Sequence, residues 1–455
     1  MQSTFPSVLK RARGTCLLAL ASLALGCASP DGAVGGNANS TASARLGSEW
    51  VGAWGTSPAG PPLPAAIQTF SNQTLRLIVH TSIGGTQIRV RVSNELSTTP
   101  LRIGEARVAL RASGAEIVSG SNRQLTFSGM TSITVPAGAP VLSDPVDLDV
   151  PALSDLAISL HLPGEVQAQT IHGSAYQTNY VSLPGNFANA AVLPTQRTIF
   201  SWPFLSEVDV SSPSFSVVTL GDSITDGAVT TRDANHRWPD FLALRLQTTR
   251  TALTAPYAQA AARNEVGVVN RGIGGNRLLR DPLGSQLAGR AALARFDRDV
   301  LATVGAEHVI VLLGINDIGA PGTASTPVEQ AVTAEDLIAG YRQLIARALA
   351  KGLAIYGGTM TPFEGTANPG YFTPAKELIR HAANNWIRTS DEFDGVIDFD
   401  RAVRDPGHPA RMLPAFDSGD HLHPNDLGMQ AMANAIPLEL INRRATLRAP
   451  SVLAK

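Results

Sequence analysis

The stretch FSVVTLGDSITDG, residues 215–227, joins an apolar run to a turn that is rich in glycine, aspartate and hydroxyl groups. A short run that is apolar on both faces is typical of a strand buried inside a parallel sheet. The five runs of this kind, which together predict five parallel strands, are SFSVVTL (214–220), EVGVVNRG (265–272), EHVIVLLG (307–314), LAIYGGTM (353–360) and GVIDFD (395–400).

Segments with helical spacing separate these runs, and a last one follows them. They cover residues 237–247, 289–304, 335–352, 375–390 and 425–442. Strands that alternate with helices predict a sheet covered on both faces. For residues 213–445 we therefore expect a three-layer α/β/α sandwich with a five-stranded, doubly wound parallel sheet.

The region before it, residues 48–210, has a different period. In TQIRVRVSN (86–94) and DLAISLHL (155–162), apolar side chains alternate with polar ones. Period-two alternation is typical of antiparallel strands with one face in a core. Turn-forming segments recur at short intervals and no long helical pattern interrupts them, so this region is predicted to be an all-β sandwich.

The N-terminus carries Lys10, Arg11 and Arg13, followed by the apolar run TCLLALASLALG (15–26) and Cys27. This order predicts a signal peptide over residues 1–27, since the apolar run is too short to span a bilayer. LALGC (23–27) resembles a bacterial lipobox, although its Ala and inner Leu depart from that motif. Lipid attachment at Cys27 and free secretion therefore both stay open. Residues 28–47 are predicted to be a flexible linker, and residues 446–455 a tail.

Composition excludes several classes of function. The formal net charge of −1 gives no basic surface for nucleic acid or an anionic membrane, so a membrane is expected only through a lipid anchor. The two cysteines, Cys16 and Cys27, both lie in the predicted signal peptide. A cysteine nucleophile or a disulfide in the mature protein is therefore excluded. The sequence makes no prediction of oligomeric state.

Functional residues in doubly wound sheets lie beyond the carboxyl ends of the strands. Ser223 follows the first strand there, and a serine hydroxyl needs a base to become a nucleophile. DSGDHLHPND (417–426) offers His423 as that base and Asp420 as the acid that orients it. The residues thus predict a Ser-His-Asp triad for acyl transfer.

Acyl transfer also needs donors for the oxyanion that develops on the substrate carbonyl. NRGIGGN (270–276) places Gly275 after the second strand, where the missing Cβ lets a backbone N–H approach a ligand. GINDIG (314–319) places the Asn316 amide after the third strand. With the N–H of Ser223, these are three candidate donors. A tight turn at Gly275 and an Asx-turn at Asn316 are the structural alternatives.

The four segments GDSITDG, NRGIGGN, LGIND and DHLHPN resemble, in order and spacing, the four blocks of the GDSL/SGNH hydrolases. The resemblance covers roughly residues 213–442. It implies nucleophile, two oxyanion donors, base and acid at Ser223, Gly275, Asn316, His423 and Asp420. The flanking sequence and WVGAW (50–54) are similar to a bacterial branch of arylesterases and acylhydrolases with an N-terminal β-domain.

The C-terminal motif DSGDHLHPND also allows a metal site or a different orienting acid. Asp420, His421 and His423 are metal-ligand types, but no further cluster in the sequence completes a site, so no metal and no cofactor are expected. Asp417 is an alternative orienting acid. The histidines outside this motif and the post-nucleophile loop, His172 among them, are taken as structural.

We therefore predict an exported bacterial serine esterase, secreted, periplasmic or anchored to the outer membrane. Its expected substrates are short acyl, acetyl or aryl esters, either small molecules or acetylated polysaccharide. A lipase or phospholipase-type acylhydrolase and a non-catalytic glycan-binding surface lipoprotein are the alternatives.

Overall fold

The computed structural model describes residues 50–251 and 266–441. The predicted signal peptide (1–27), linker (28–47) and tail (446–455) lie outside these ranges. No helix within them combines the length and the apolar character that crossing a membrane requires.

The N-terminal region consists of short and medium-length strands joined by turns. Their bounds are β1 (Trp50–Gly55), β2 (Thr69–His80), β3 (Gly85–Ser93), β4 (Leu101–Ile103), β5 (Glu105–Ser113), β6 (Glu116–Ile117), β7 (Arg123–Leu125), β8 (Ile133–Val135), β9 (Pro140–Leu142), β10 (Val146–Val150), β11 (Asp155–Gln167), β12 (Ile171–His172), β13 (Asn179–Pro184), β14 (Thr195–Ile199), β15 (Trp202–Pro203) and β16 (Leu205–Ser211). A 3-10 turn at Pro64–Ala66 precedes β2.

Two antiparallel sheets make up most of this region. One has the order β1-β16-β3-β10, and the other has the order β14-β13-β2-β11-β5-β6. Alternate side chains of β3 point to opposite faces of its sheet: Ile88, Val90 and Val92 are fully buried, whereas Arg89 and Arg91 between them are partly exposed. Apolar side chains of both sheets share one core, which confirms the predicted β-sandwich.

The C-terminal region has five parallel strands, β17 (Phe215–Gly221), β18 (Val266–Gly272), β19 (Ala306–Leu312), β20 (Ala354–Gly358) and β21 (Gly395–Ile397). Their order in the sheet is β18-β17-β19-β20-β21. A short antiparallel pair, β22 (Arg404–Asp405) and β23 (His408–Met412), follows. The helices are α1 (Ser223–Asp226), α2 (Trp238–Thr251), α3 (Ala292–Phe296), α4 (Ile315–Gly319), α5 (Ala334–Ala350), α6 (Pro374–Thr389), α7 (Phe399–Val403) and α8 (Asp426–Asn434).

Helices cover both faces of this sheet. Val218 and Leu220 of β17 join a core with α3, α5 and α6, while Val217 of the same strand joins a core with α2 and α8. Adjacent residues of one strand thus enter opposite cores, as expected of a strand buried on both sides. The predicted three-layer α/β/α sandwich with a five-stranded parallel sheet is confirmed.

Two helix boundaries differ from the prediction. The last helix, expected over 425–442, ends at Asn434, and a 3-10 turn at Leu438–Leu440 follows Pro437. Proline has no N–H and disfavours helical geometry in the residue before it, so the helix stops short of Pro437. The helix expected over 289–304 splits into α3 and a π-helical turn at Asp297–Leu301.

The β-region packs directly against the parallel sheet. Gly52 of β1 donates its N–H to the carbonyl of Val304 at 2.9 Å. A Cβ on Gly267 of β18 would lie only 2.4 Å from the carbonyl oxygen of Gly52, so this approach requires glycine. Arg271 of β18 is buried and forms an ion pair with the buried Glu207 of β16. A charged bond thus joins the two regions in their interior.

Candidate active site

Ser223 stands where the central strand β17 turns into α1. The Asp222 side chain caps the helix by accepting the N–H of Ile224 at 3.0 Å. A Cβ on Gly221 would lie 2.0 Å from Oγ1 of Thr225, so the strand can end this close to the helix only with glycine there. This tight turn leaves Ser223 partly exposed at the carboxyl end of the sheet.

Ser223, His423 and Asp420 form one hydrogen-bonded chain. Oγ of Ser223 lies 2.8 Å from Nε2 of His423, and Nδ1 of the same ring lies 2.6 Å from Oδ2 of Asp420. A carboxylate only accepts, so Nδ1 carries a proton and Nε2 is free to accept the serine proton. The side chain of His423 is 16% exposed, which leaves little water to compete for that contact.

Asp420 is held as a carboxylate by its own loop. Its Oδ1 accepts the backbone N–H of Leu422 at 2.9 Å and that of His423 at 2.8 Å. Partial burial alone would raise the pKa of Asp420, but these bonds and the His423 ring hold it well below its usual range. The acid is therefore charged at neutral pH.

The turn after β18 contains Gly275 in the left-handed conformation, with φ of 75°. Ile273 donates its N–H to the carbonyl of Gly221 at 3.2 Å, and Asn276 donates to Ile273 at 3.1 Å. Gly274 donates its N–H to Oδ2 of Asp226 at 2.9 Å. Within the described part of the chain, Gly275 alone among these four has an N–H without an acceptor. That donor is available to a substrate oxygen.

Asn316 lies in the first turn of α4, after β19, and is largely buried. Its Nδ2 donates to the carbonyl of Asn276 at 3.0 Å, and its Oδ1 accepts the hydroxyl of Tyr371 at 2.8 Å. These two bonds fix which way the amide faces. The second Nδ2 hydrogen has no acceptor among the described residues, so it is the candidate donor.

Two buried carboxyl groups flank the site and were not foreseen. Burial raises the pKa of Asp222 to about 7 and that of Asp317 to about 6. Asp317 accepts the backbone N–H groups of Leu278 at 2.7 Å and Leu279 at 3.0 Å. Through these backbone bonds and the cap at Ile224, the two acids anchor the loops that bear the site.

The structure distinguishes between Asp417 and Asp420 as the acid that contacts His423. His421 contacts Asp417 through Nδ1, while Asp420 contacts His423. Asp417 is thus the partner of the neighbouring histidine. Across residues 50–251 and 266–441, no group of three His, Cys, Asp or Glu side chains is arranged to hold a metal ion.

Sequence reasoning missed His172, which belongs to β12 of the β-region. It is buried, and its Nε2 lies 2.8 Å from Oδ1 of Asp226 at the end of α1. Tyr371, the hydroxyl donor to Asn316, was also missed. Neither belongs to a recognisable motif, and each meets its partner more than 50 positions away. Only Asp226 had a signal, since it lies inside GDSITDG.

Residues 219–431 match the GDSL-like Lipase/Acylhydrolase family. The fold and the match together define this part of the protein as a hydrolase that acts on esters. It is a GDSL-like lipase/acylhydrolase domain, and the resemblance to GDSL/SGNH hydrolases is confirmed. No curated protein matches the chain.

Solved structures similar to the chain share low identity with it. The acetylxylan esterase Axe2 from Geobacillus stearothermophilus is 21% identical, with 50% of this chain and 94% of that one covered and a TM-score of 0.35. LAE5, an alpha/beta hydrolase from the metagenome of Lake Arreo, Spain, is 20% identical, with 52% and 97% covered and a TM-score of 0.34. A GDSL-like lipase from Bacteroides thetaiotaomicron is 17% identical, with 50% and 87% covered and a TM-score of 0.30.

Proposed function

We propose that the protein is an exported serine esterase that hydrolyses carboxylic esters through an acyl-enzyme on Ser223. The observation that carries this proposal is the hydrogen-bonded chain from Ser223 through His423 to Asp420, with contacts of 2.8 and 2.6 Å. A serine aligned with a base that is itself oriented by an acid is the arrangement that activates a hydroxyl for attack.

Acylation begins when Ser223 Oγ attacks the ester carbonyl carbon and its proton moves to Nε2 of His423. The imidazolium that forms is stabilised by the Asp420 carboxylate at Nδ1. The tetrahedral intermediate then breaks its bond to the alcohol oxygen, and His423 returns the proton to that oxygen. The alcohol leaves and the acyl group remains on Ser223.

Negative charge develops on the carbonyl oxygen during attack. The free N–H of Gly275, the N–H of Ser223 and the second Nδ2 hydrogen of Asn316 are the donors proposed to receive it. Because these groups are fixed before substrate binds, they stabilise charge without reorganising during the reaction. Deacylation repeats the sequence with water, which His423 activates by taking its proton.

The proposed substrates are esters with short acyl, acetyl or aryl groups, either small molecules or acetylated polysaccharide. The segments between the four motifs contain no long apolar run that could cover a fatty acyl chain. Export is proposed from the positive and apolar N-terminal segment, and a membrane contact only through a lipid on Cys27.

The experiment is labelling of the purified protein with a fluorophosphonate, which reacts with activated serines, alongside hydrolysis of 4-nitrophenyl esters of increasing chain length. We expect labelling at Ser223 that is lost in Ser223→Ala and His423→Ala and is unaffected by EDTA. His421→Ala is the matched control, since that ring is on the same loop and contacts Asp417 instead.

An unlabelled, folded wild-type protein would overturn the proposal, as would loss of activity with EDTA or equal loss in the two histidine variants. A rate that rises steadily toward long acyl chains would replace the short-acyl assignment with a lipase. Preference for acetyl esters would support it.

A further inference from the structure

His172 of the β-region contacts Asp226, at the end of the short helix that begins with Ser223. Its Nδ1 lies 3.0 Å from the backbone carbonyl of Ser57, and its Nε2 lies 2.8 Å from Oδ1 of Asp226. The side chains of His172 and Asp226 are only 2% and 5% exposed. The two residues are thus joined in the interior, across the boundary between the two regions.

The partners of the ring define its protonation state. A backbone carbonyl can only accept a hydrogen bond, and so can an ionised carboxylate, so both ring nitrogens must donate. His172 is therefore an imidazolium paired with the Asp226 carboxylate. Burial by itself would lower the pKa of His172, but the carboxylate and the two hydrogen bonds raise it above its ordinary value.

Asp226 connects this pair to the turn that bears the oxyanion donor. Its Oδ2 accepts the N–H of Gly274 at 2.9 Å, one residue before Gly275. Nothing else in the described chain receives that N–H. The N–H of Gly275 lies in the peptide plane that links it to Gly274, so its direction depends on how Gly274 is held.

Other charged and polar groups surround the His172–Asp226 pair. Arg237 donates from Nε to the carbonyl of Asp226 at 2.9 Å, pairs with Asp240, and opposes protonation of His172. Tyr176 lies near Asp226, and burial raises its pKa to about 12, so it is neutral over the working range. Nearby stands the indole of Trp202, with its ring centre 5.7 Å from that of His172. For His172, by contrast with Tyr176, the raised pKa favours the charged form of the side chain.

We propose that His172, supplied by the β-region, is a positioning residue for the esterase: through Asp226 it fixes the turn that presents the Gly275 N–H to the substrate oxygen. This inference rests on the proposed function. It assigns the β-region a supporting part in catalysis, since the oxyanion turn is held in place from outside the parallel-sheet region.

Two isosteric variants separate positioning from packing. In His172→Asn the amide nitrogen occupies the place of Nδ1, so the bond to Ser57 survives and the bond to Asp226 is lost. In His172→Gln the amide nitrogen occupies the place of Nε2, so the bond to Asp226 survives. We expect His172→Asn to lower kcat about tenfold to a hundredfold with little change in KM, because small misplacement of a catalytic donor has that effect. We expect His172→Gln to keep most of the activity.

Rates are normalised to the concentration of sites titrated by the fluorophosphonate, and thermal unfolding is followed for each variant. His80→Gln is the matched control: Nδ1 of His80 lies 2.7 Å from Asp155, and an amide at the place of Nε2 removes this second histidine–aspartate pair of the β-region. It is expected to leave kcat unchanged. Equal kcat in His172→Asn and wild type, or equal losses in the Asn and Gln variants, would overturn the inference.

The pH profile gives a readout that packing alone would not move. The imidazolium is present below its raised folded pKa and is lost as pH rises through it. The neutral ring has one N–H for two acceptors, Ser57 and Asp226, so the bond to Asp226 is no longer always made and wild-type kcat should fall on the alkaline side. In Asp226→Asn the amide can donate to neutral Nε2 and still accept from Gly274. That variant should lack the alkaline fall, whatever its rate at neutral pH. The same alkaline fall in both proteins would contradict the inference.

These outcomes are distinct from failure of the proposed function. If wild-type protein neither labels nor hydrolyses any ester, the esterase assignment itself fails. If wild type is active and the His172 variants behave as wild type, only the positioning role fails.

Discussion

Removal of the Tyr371 hydroxyl is expected to impair the oxyanion site without touching the nucleophile. In Tyr371→Phe, the buried Oδ1 of Asn316 loses its donor at 2.8 Å, and a buried acceptor left unpaired costs about 1–3 kcal/mol. The amide can relieve this by rotating, which turns its free N–H away from the substrate. The ring itself stays, packed against Gly319 where no Cβ fits.

The largest fall in kcat to expect from Tyr371→Phe is the one caused by losing the Asn316 donor completely. Removing one oxyanion donor typically lowers kcat by about 10²–10³. A donor that is present but misdirected should lose less, so we expect about a tenfold fall in kcat for Tyr371→Phe, with KM nearly unchanged. Asn316→Ala should fall by the full amount.

The assay is steady-state hydrolysis of a short 4-nitrophenyl ester by both single variants and the double variant. If Tyr371 acts only through Asn316, the double variant is no slower than Asn316→Ala, as in any coupled pair. Tyr356→Phe is the control, because that hydroxyl contacts His308 and Leu440 away from the site. Multiplicative losses in the double variant, or an equal loss in Tyr356→Phe, would refute the reasoning.

Three further outcomes are expected. Asp420→Asn should lower kcat by about three to four orders of magnitude with little change in KM, because the wrong tautomer of His423 is then favoured; a loss below tenfold would contradict this. On the acid side, kcat/KM should fall as the pH drops, because the Ser223 proton can move to Nε2 of His423 only while that nitrogen is unprotonated, whereas the pKa of Asp420, held well below its usual range, leaves its carboxylate charged; activity that rises toward acid pH would contradict this. Gly275→Ala should lower kcat, because alanine at a φ of 75° is strained by about 1–2 kcal/mol and the turn that presents the Gly275 N–H would shift to relieve that strain. Gly138→Ala is the control: its φ is 76° and it has open space around it, so it should lose stability only.

The sequence was sufficient for the parts of the site that follow from chain topology. Ser223, Gly275 and Asn316 each follow a strand of one parallel sheet, so their common edge could be predicted from hydrophobic runs alone. Asp420 and His423 are three positions apart, and their contact is local. The end of the last helix also follows from the sequence, because Pro437 cannot continue a helix and α8 ends at Asn434.

The supporting residues could not be predicted in this way. His172 reaches Asp226 only because β12 packs against the end of α1, and the two lie 54 positions apart. Tyr371 meets Asn316 from a loop 55 positions away, through a buried hydroxyl that no motif marks. Such contacts depend on the tertiary packing of distant segments, which cannot be read from hydrophobic periodicity or from the spacing of motifs.

The buried ion pair between Arg271 and Glu207 bears on how this protein can be cut or recombined. Arg271 also donates to the carbonyl oxygens of Thr56 and Ser206, so all these acceptors belong to the β-region. A truncated enzyme starting at β17 would lose these acceptors, and it would also expose Val269, which is fully buried beneath Gly52 and Gly55 of β1. Exposing an apolar side chain of this size costs about 1.5–3 kcal/mol. We therefore expect a gene that encodes only the hydrolase half to give a less stable protein, so the two halves are best expressed and engineered as one unit.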